Sequence, residues 1–290
     1  MDSNTATQSE GVVGTLMGRG YFQQVLLVLT MMVALFFIFV TLEYIYLSFS
    51  AIGGKSVNLL PSTKASLNGQ VIIQQDSSKY LDAKQIPWSD NEKSGIEFTY
   101  SFYMLINPST FTGQNTLHHV FHKGYATPWP LFGPGVFVKG DSNSLRIIMN
   151  TYKNPFTYVD IDNIPIRKYF HVALVCRKNA MEVYINGNMS KRLPFQGSLP
   201  YQNFQNVILF SPLNFTLSEK ITPALPFPLR IQGAFNGMLS NLTYLAYAAS
   251  FTEIQSLLNK GVSSKVDIKQ DDVPPYLVDT YWTQSYTQQA

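Results

Sequence analysis

The sequence of 290 residues predicts an all-β, antiparallel sandwich with one apolar helix ahead of it. Three observations carry this expectation. Residues 169–188, YFHVALVCRKNAMEVYINGN, spell a hairpin with its punctuation. Residues 96–106 keep a period of two, with Ile96, Phe98, Tyr100, Phe102, Met104 and Ile106 on one side and Glu97, Thr99, Ser101, Tyr103 and Leu105 on the other. Residues 25–42 are eighteen uncharged residues, almost all Val, Leu, Ile, Phe or Met, with Thr30 and Thr41 the only polar ones.

Taken along the chain, that apolar run comes first. At about 1.5 Å per residue it covers roughly 27 Å, close to the hydrocarbon thickness of a bilayer. Tyr21, Phe22, Tyr44 and Tyr46 flank it as interfacial aromatics. A secretory signal peptide is the rival, with Ser48, Ser50 and Ala51 near a cut. The run is longer than a usual signal core, begins late and has only Arg19 close before it, so an uncleaved single span is expected. Arg19 before the span and Lys55 and Lys64 after it set no orientation. The chain then divides into a short polar tail (1–20), a transmembrane helix (21–48), an extended lead-in with a first strand at Val71-Ile72-Ile73 (49–92), the sandwich (93–262) and an extended aromatic tail (263–290). Gln85-Ile86-Pro87-Trp88 reads as a bend.

Within the sandwich, strands are expected over residues 117–123, 135–139, 145–152 and 207–210. Turn chemistry separates them, at Gly124, Pro134-Gly135, Gly140-Asp141-Ser142-Asn143 and Ser211-Pro212. Residues 170–176 are apolar on both faces apart from His171, so this strand needs cover above and below. Arg177-Lys178-Asn179-Ala180 breaks the run and residues 181–186 resume it. Asn186-Gly187 then supplies the positive φ angles of a tight hairpin turn. One soluble helix follows: Ser250 caps it, Glu253 completes a capping box, Ile254, Leu257 and Leu258 form its apolar stripe, and Gly261 ends it.

The order Gly95-Ile96-Glu97-Phe98, His119-Val120-Phe121-His122-Lys123-Gly124, Pro134-Gly135-Val136, Phe170-His171-Val172 and Val183-Tyr184-Ile185-Asn186-Gly187 resembles the laminin-G-like, concanavalin A-like lectin/glucanase jelly rolls. Phe235-Asn236-Gly237-Met238-Leu239-Ser240-Asn241-Leu242, followed by Ser250-Phe251-Thr252-Glu253-Ile254, looks like that family's closing strand and short helix. The arrangement with an N-terminal membrane segment and the tail Pro274-Pro275-Tyr276-Leu277 resembles proteins encoded by large DNA viruses of algae and protists. The resemblance implies an antiparallel jelly-roll sandwich. It covers hydrolases, lectins and purely structural modules, so the choice of function falls to the sites.

Composition narrows that choice. Charged residues are 13% of the chain, about half the usual share, while aromatics reach 14%. Such an exterior suits a protein covered by neighbours or one that stacks sugars. A net charge of +3, dispersed along the chain, gives no reason to expect a nucleic-acid partner. Cys176 is alone, so no intrachain disulfide is expected, and it reads as a small buried hydrophobe.

Retaining glycosidases need two carboxylates roughly 5–5.5 Å apart across the bond they cleave. The related glucanases place them as Glu-x-Asp-x-x-Glu, and this chain lacks that motif. Asp160 and Asp162 share a strand face, but no Glu completes the set. His118, His119 and His122 invite a metal reading; on a regular strand His118 and His122 lie about 13 Å apart and His119 faces the other side, beyond a shared Zn²⁺. Asp141 and Asn143 are oxygen donors for Ca²⁺, but two ligands fall short of the six to eight it takes. No catalytic residue, metal or cofactor is therefore expected. Trp129, stiffened between Pro128 and Pro130, is the candidate platform for a sugar face. Sequons at Asn188, Asn214 and Asn241 are near chance in number, and Asn241 falls in a strand. In the tail, Tyr276 and Trp282 are too apolar for a free end and are expected to contact the sandwich or a neighbouring protein.

The expected function is a non-catalytic, membrane-anchored jelly roll serving as a virion structural protein, a minor capsid or membrane-to-capsid component. Its partners are then the lipid bilayer and neighbouring shell or membrane proteins. The alternative is a membrane-anchored lectin that binds glycans for attachment, and a glycoside hydrolase comes last.

Overall fold

The computed structural model of the chain describes residues 6–89, 96–125, 131–217 and 229–267. It falls into two compact units, residues 1–54 and 55–290. The first holds helix α1, Ala6–Gly54. Among its described residues the second holds fourteen strands: β1 Ser56–Ala65, β2 Val71–Ile73, β3 Phe98–Ile106, β4 Leu117–Lys123, β5 Gly135–Lys139, β6 Ser144–Met149, β7 Thr157–Asp162, β8 Phe170–Cys176, β9 Ala180–Ile185, β10 Asn188–Pro194, β11 Val207–Leu209, β12 Asn214–Leu217, β13 Leu229–Ala234 and β14 Gly237–Leu245. Helix α2, Phe251–Asn259, follows them.

Helix α1 is longer than the sequence pattern suggests, because the first proline of the chain is Pro61 and nothing before it stops a helix. Its segment Gln23–Ile45 has a mean hydropathy of 2.9 and none of it is buried. The hydroxyls of Thr30 and Thr41 donate to the carbonyls of Leu26 and Ile38, so the two polar side chains of the apolar run are satisfied within the helix. By length and composition this segment is able to cross a bilayer.

The second unit is a sandwich of two sheets. One runs β1-β14-β3-β8-β9-β10; the other runs β12-β13-β4-β5-β6-β7, with β11 pairing both β4 and β2. Among the described strands every pairing is antiparallel except β13 with β4. The inner faces meet in an aromatic core in which Phe98, Tyr100, Phe102, Phe121 and Tyr244 are fully buried. Phe102 meets Phe121 edge to face at 5.2 Å, and Tyr100 meets Tyr244 at 5.1 Å. Burying each such ring contributes about 2–3 kcal/mol.

Strand β8 is buried along its whole length, as its two-faced apolar pattern requires. Its inner face meets the opposite sheet, and Ala173 and Val175 on the outer face pack with Ile254 and Leu257 of α2. The α2 cap is the expected box: Ser250 accepts from the Glu253 amide while the Glu253 carboxylate takes the Ser250 amide. Asn186 and Gly187, with φ of 49° and 80°, form the β9–β10 turn. A Cβ at Gly187 would stand 2.6 Å from Gln255 Nε2, the atom that donates to the Gly187 carbonyl. Gly187→Val is therefore expected to cost about 1–3 kcal/mol through backbone strain and the loosened seat of α2. An unchanged melting temperature would contradict this turn.

Two local readings differ from the sequence expectation. Residues 56–65 are a full edge strand rather than lead-in; two register shifts around Leu60 absorb Pro61, which an edge tolerates. The strand expected over 145–152 ends at Met149, because the Asn150 side chain accepts from the Phe132 amide and donates to the Pro155 carbonyl, closing a turn. At the start of the tail, Thr63 donates its amide to the Lys265 carbonyl and accepts from the Asp267 amide, so the described part of the tail lies along β1.

Candidate functional site

Register places the site. Val207, the first residue of β11, pairs with Ile73 at the end of β2 and with Lys123 at the end of β4. The chain therefore leaves all three strands at one end of the sheet, through Gln74, Asn206 and Gly124. Amide side chains tie these loops together. Asn206 Oδ1 accepts from the Gln75 amide (3.0 Å), and Asn206 Nδ2 donates to Gln74 Oε1 (2.8 Å). Gln75 spans its own loop, donating to the Lys84 carbonyl and accepting from the Ile86 amide. Buried Asn203 donates to the Lys123 carbonyl at 2.8 Å.

Between these loops lie two adjoining cavities of about 200 and 510 Å³, with Ile86, Lys123 and Phe204 in the walls of both. The outer and larger one carries Trp88 and Phe204, 72% and 75% exposed, with ring centroids 5.8 Å apart and planes tilted by 53°. The smaller one carries Tyr152 and Tyr201, which meet edge to face at 5.3 Å, beside Gln202 and Asn203. Large rings left in water around a concavity mark a binding surface rather than a core. Rings that offer a flat apolar face, flanked by amides that donate and accept, suit a ligand with both C–H faces and hydroxyls.

Next to this end of β4 sits a histidine pair. Residues His119 and His122 would face opposite ways on a regular strand, but β4 bulges between His119 and Phe121 and brings them onto one face. Their Nε2 and Nδ1 atoms are 2.6 Å apart, which corrects the expectation that His119 points away. The Ser211 amide donates to His119 Nδ1, so His119 carries its proton on Nε2 and donates to His122 Nδ1. His122 in turn donates from Nε2 to the Tyr125 carbonyl at 2.7 Å. All four ring nitrogens are engaged, and no lone pair is left for a metal. Burial holds both rings neutral, pushing His122 down to about 4 and His119 well below its ordinary value, and the neighbouring His122 ring further disfavours charge on His119. His118 lies apart, with Nδ1 on the Gln232 carbonyl.

Other residues singled out by the sequence are engaged elsewhere. Asp160 sits in the fork of Arg146, with contacts of 2.7 and 2.6 Å, and Asp162 takes Lys191 (2.9 Å) and Ser144 (2.9 Å). The Lys191 and Ser144 contacts hold Asp162 below the usual carboxylate range, the opposite of what a general acid needs. Asp141 faces Lys139 at 3.5 Å, and Asn143 donates to the Ile164 carbonyl. Among the described residues no three His, Cys, Asp or Glu side chains converge as a metal site. Cys176 is buried and unpaired. Asn241 donates to the Gly261 carbonyl, while Asn188 and Asn214 are exposed. Trp129, Tyr276 and Trp282 lie outside the described residues. The groove was missed in the sequence because Trp88 read as part of a bend. Its signals are a tryptophan after a proline in a loop, and Phe204 set among Gln202, Asn203, Gln205 and Asn206.

No protein-family model and no curated protein matches this chain. Solved structures similar to it include the receptor binding domain of botulinum neurotoxin C/D mosaic serotype, at 10% identity and a TM-score of 0.43 over 57% of this chain and 36% of that one. Another is the botulinum neurotoxin serotype D ligand binding domain in complex with N-acetylneuraminic acid, at 11% identity and 0.41 over 59% and 38%. A third is the binding domain of Paraclostridial Mosquitocidal Protein 1, at 14% identity and 0.45 over 68% and 42%. The match thus spans about two-fifths of each of those chains. At such identities and scores the likeness carries no argument about what this chain binds.

Proposed function

We propose that this protein is a non-catalytic, membrane-tethered binding module whose sandwich presents the Trp88–Phe204 groove to carbohydrate. The observation that carries this is the exposed ring pair over a cavity of about 510 Å³ edged with amide side chains. The apolar helix supplies the tether, which confines the sandwich to a membrane and suits attachment better than turnover of a diffusing substrate. A glycan array probed with the full chain in detergent micelles tests the reading. Defined glycans are expected to bind, and Trp88→Ala or Phe204→Ala to weaken them at least ten-fold, about 1.4 kcal/mol, with circular dichroism unchanged. An array without specific binding would sink the proposal.

The second reading is a virion structural protein that joins the lipid layer to neighbouring shell or membrane proteins, with the groove receiving a protein side chain instead. The low charge of the chain favours it. Retention in purified particles after detergent removes the lipid, together with an empty glycan array, would select this reading.

A further inference from the structure

Within the carbohydrate reading, on which this rests, we propose that the groove takes an acidic saccharide and that Lys123 receives its carboxylate or sulfate group. Lys123 stands where the two cavities adjoin and is only 3% exposed. Its ammonium donates to the Gln205 carbonyl at 2.8 Å, one contact for a group with three N–H bonds. No carboxylate among the described residues pairs with it, and burial alone pushes its pKa down to about 8. An uncompensated buried cation is costly, and the cost falls when an anion enters beside it.

The loop does not need this charge. Asn203 already pins it through the Lys123 backbone carbonyl, and the Gly124 amide holds the Asn206 carbonyl. The other charged groups in the walls are Asp76 and Lys79, which pair with each other at 3.2 Å, so the lysine is left as the local excess of charge. Tyr80, Tyr152 and Tyr201 are the remaining ionisable side chains there. Trp88 and Phe204 then stack the ring of a sugar whose acidic substituent reaches inward.

The test is calorimetric titration of the full chain in micelles with tri-galacturonate, its methyl ester and inorganic sulfate. The acid is expected to bind at least ten-fold tighter than the ester at pH 7. Lys123→Met, close in shape and removing a buried charge, should abolish that preference and leave ester binding in place. In the unaltered protein the preference should shrink between pH 7 and 9.5 as Lys123 loses its proton, and this arm decides if the variant does not fold. Equal binding of acid and ester, or a preference that survives Lys123→Met, overturns the assignment while the carbohydrate reading stands. Binding of neither saccharide overturns both. Sulfate bound through Lys123 without either saccharide identifies a free-anion site and overturns the acidic-saccharide assignment.

Discussion

Lowering the pH from 7.5 to 5.5 is expected to destabilise the folded sandwich by a few kcal/mol and to lower its melting temperature by about 10 °C. Three of the four buried histidines drive most of this, and His118, also lowered by burial, acts in the same sense. His119 and His122 form the neutral relay, and His171 lies on β8 against the Tyr103 ring, where Ser101 contacts its Nε2 at 2.8 Å and burial pushes its pKa down to about 4. The unfolded chain takes up protons near pH 6.5, but the folded chain does not until far lower. Their neutrality costs nothing above pH 6.5, and stability falls as the pH drops from there towards 4. His122 and His171 each contribute about 1 kcal/mol at pH 5.5, and His119 acts in the same direction. In the relay, a second proton on either ring would set two N–H groups against each other. Melting curves that coincide at pH 7.5 and 5.5 would refute this account.

Removing residues 21–48 is expected to shift the protein from the membrane pellet to the supernatant after an alkaline carbonate wash, while its melting curve stays intact. The deletion takes away the whole of the exposed apolar stretch Gln23–Ile45 and leaves the core, whose first buried hydrophobic among the described residues is Leu59, untouched. Retention of the shortened protein in the pellet would show that the sandwich binds membranes by itself. A mature protein beginning near residue 50 in cells would show that the helix is a cleaved signal.

Legibility in the sequence followed burial. Strands β4, β5 and β8 were marked to the residue: β5 and β8 are short, largely apolar runs, and β4, despite its histidines, ends just before the turn residue Gly124. Strand β10 is exposed almost throughout and shows no alternation, so only the turn before it announced it. Strand β1 was hidden by Pro61, which breaks the pattern that its bulges repair. The histidine pair was hidden by one inserted residue in β4, since a period of two assigns faces wrongly after a bulge. The groove was least legible: three loops build it, and their proximity is a property of strand pairing.

The clasp of residues 263–267 on β1 has a mechanical meaning. The chain enters the sandwich at Lys55, so any tension applied through the N-terminal helix arrives first at an edge strand. An edge held by one ladder peels away bond by bond under such a load. Here Thr63 is gripped from both margins: β14 holds one side, and the backbone at Lys265 and Asp267 takes its amide and carbonyl on the other. The Ser62 hydroxyl adds a bond to the Asp267 carboxylate. The two margins of β1 are thus tied together at Thr63, so a strand peeled from Lys55 meets a second set of bonds there.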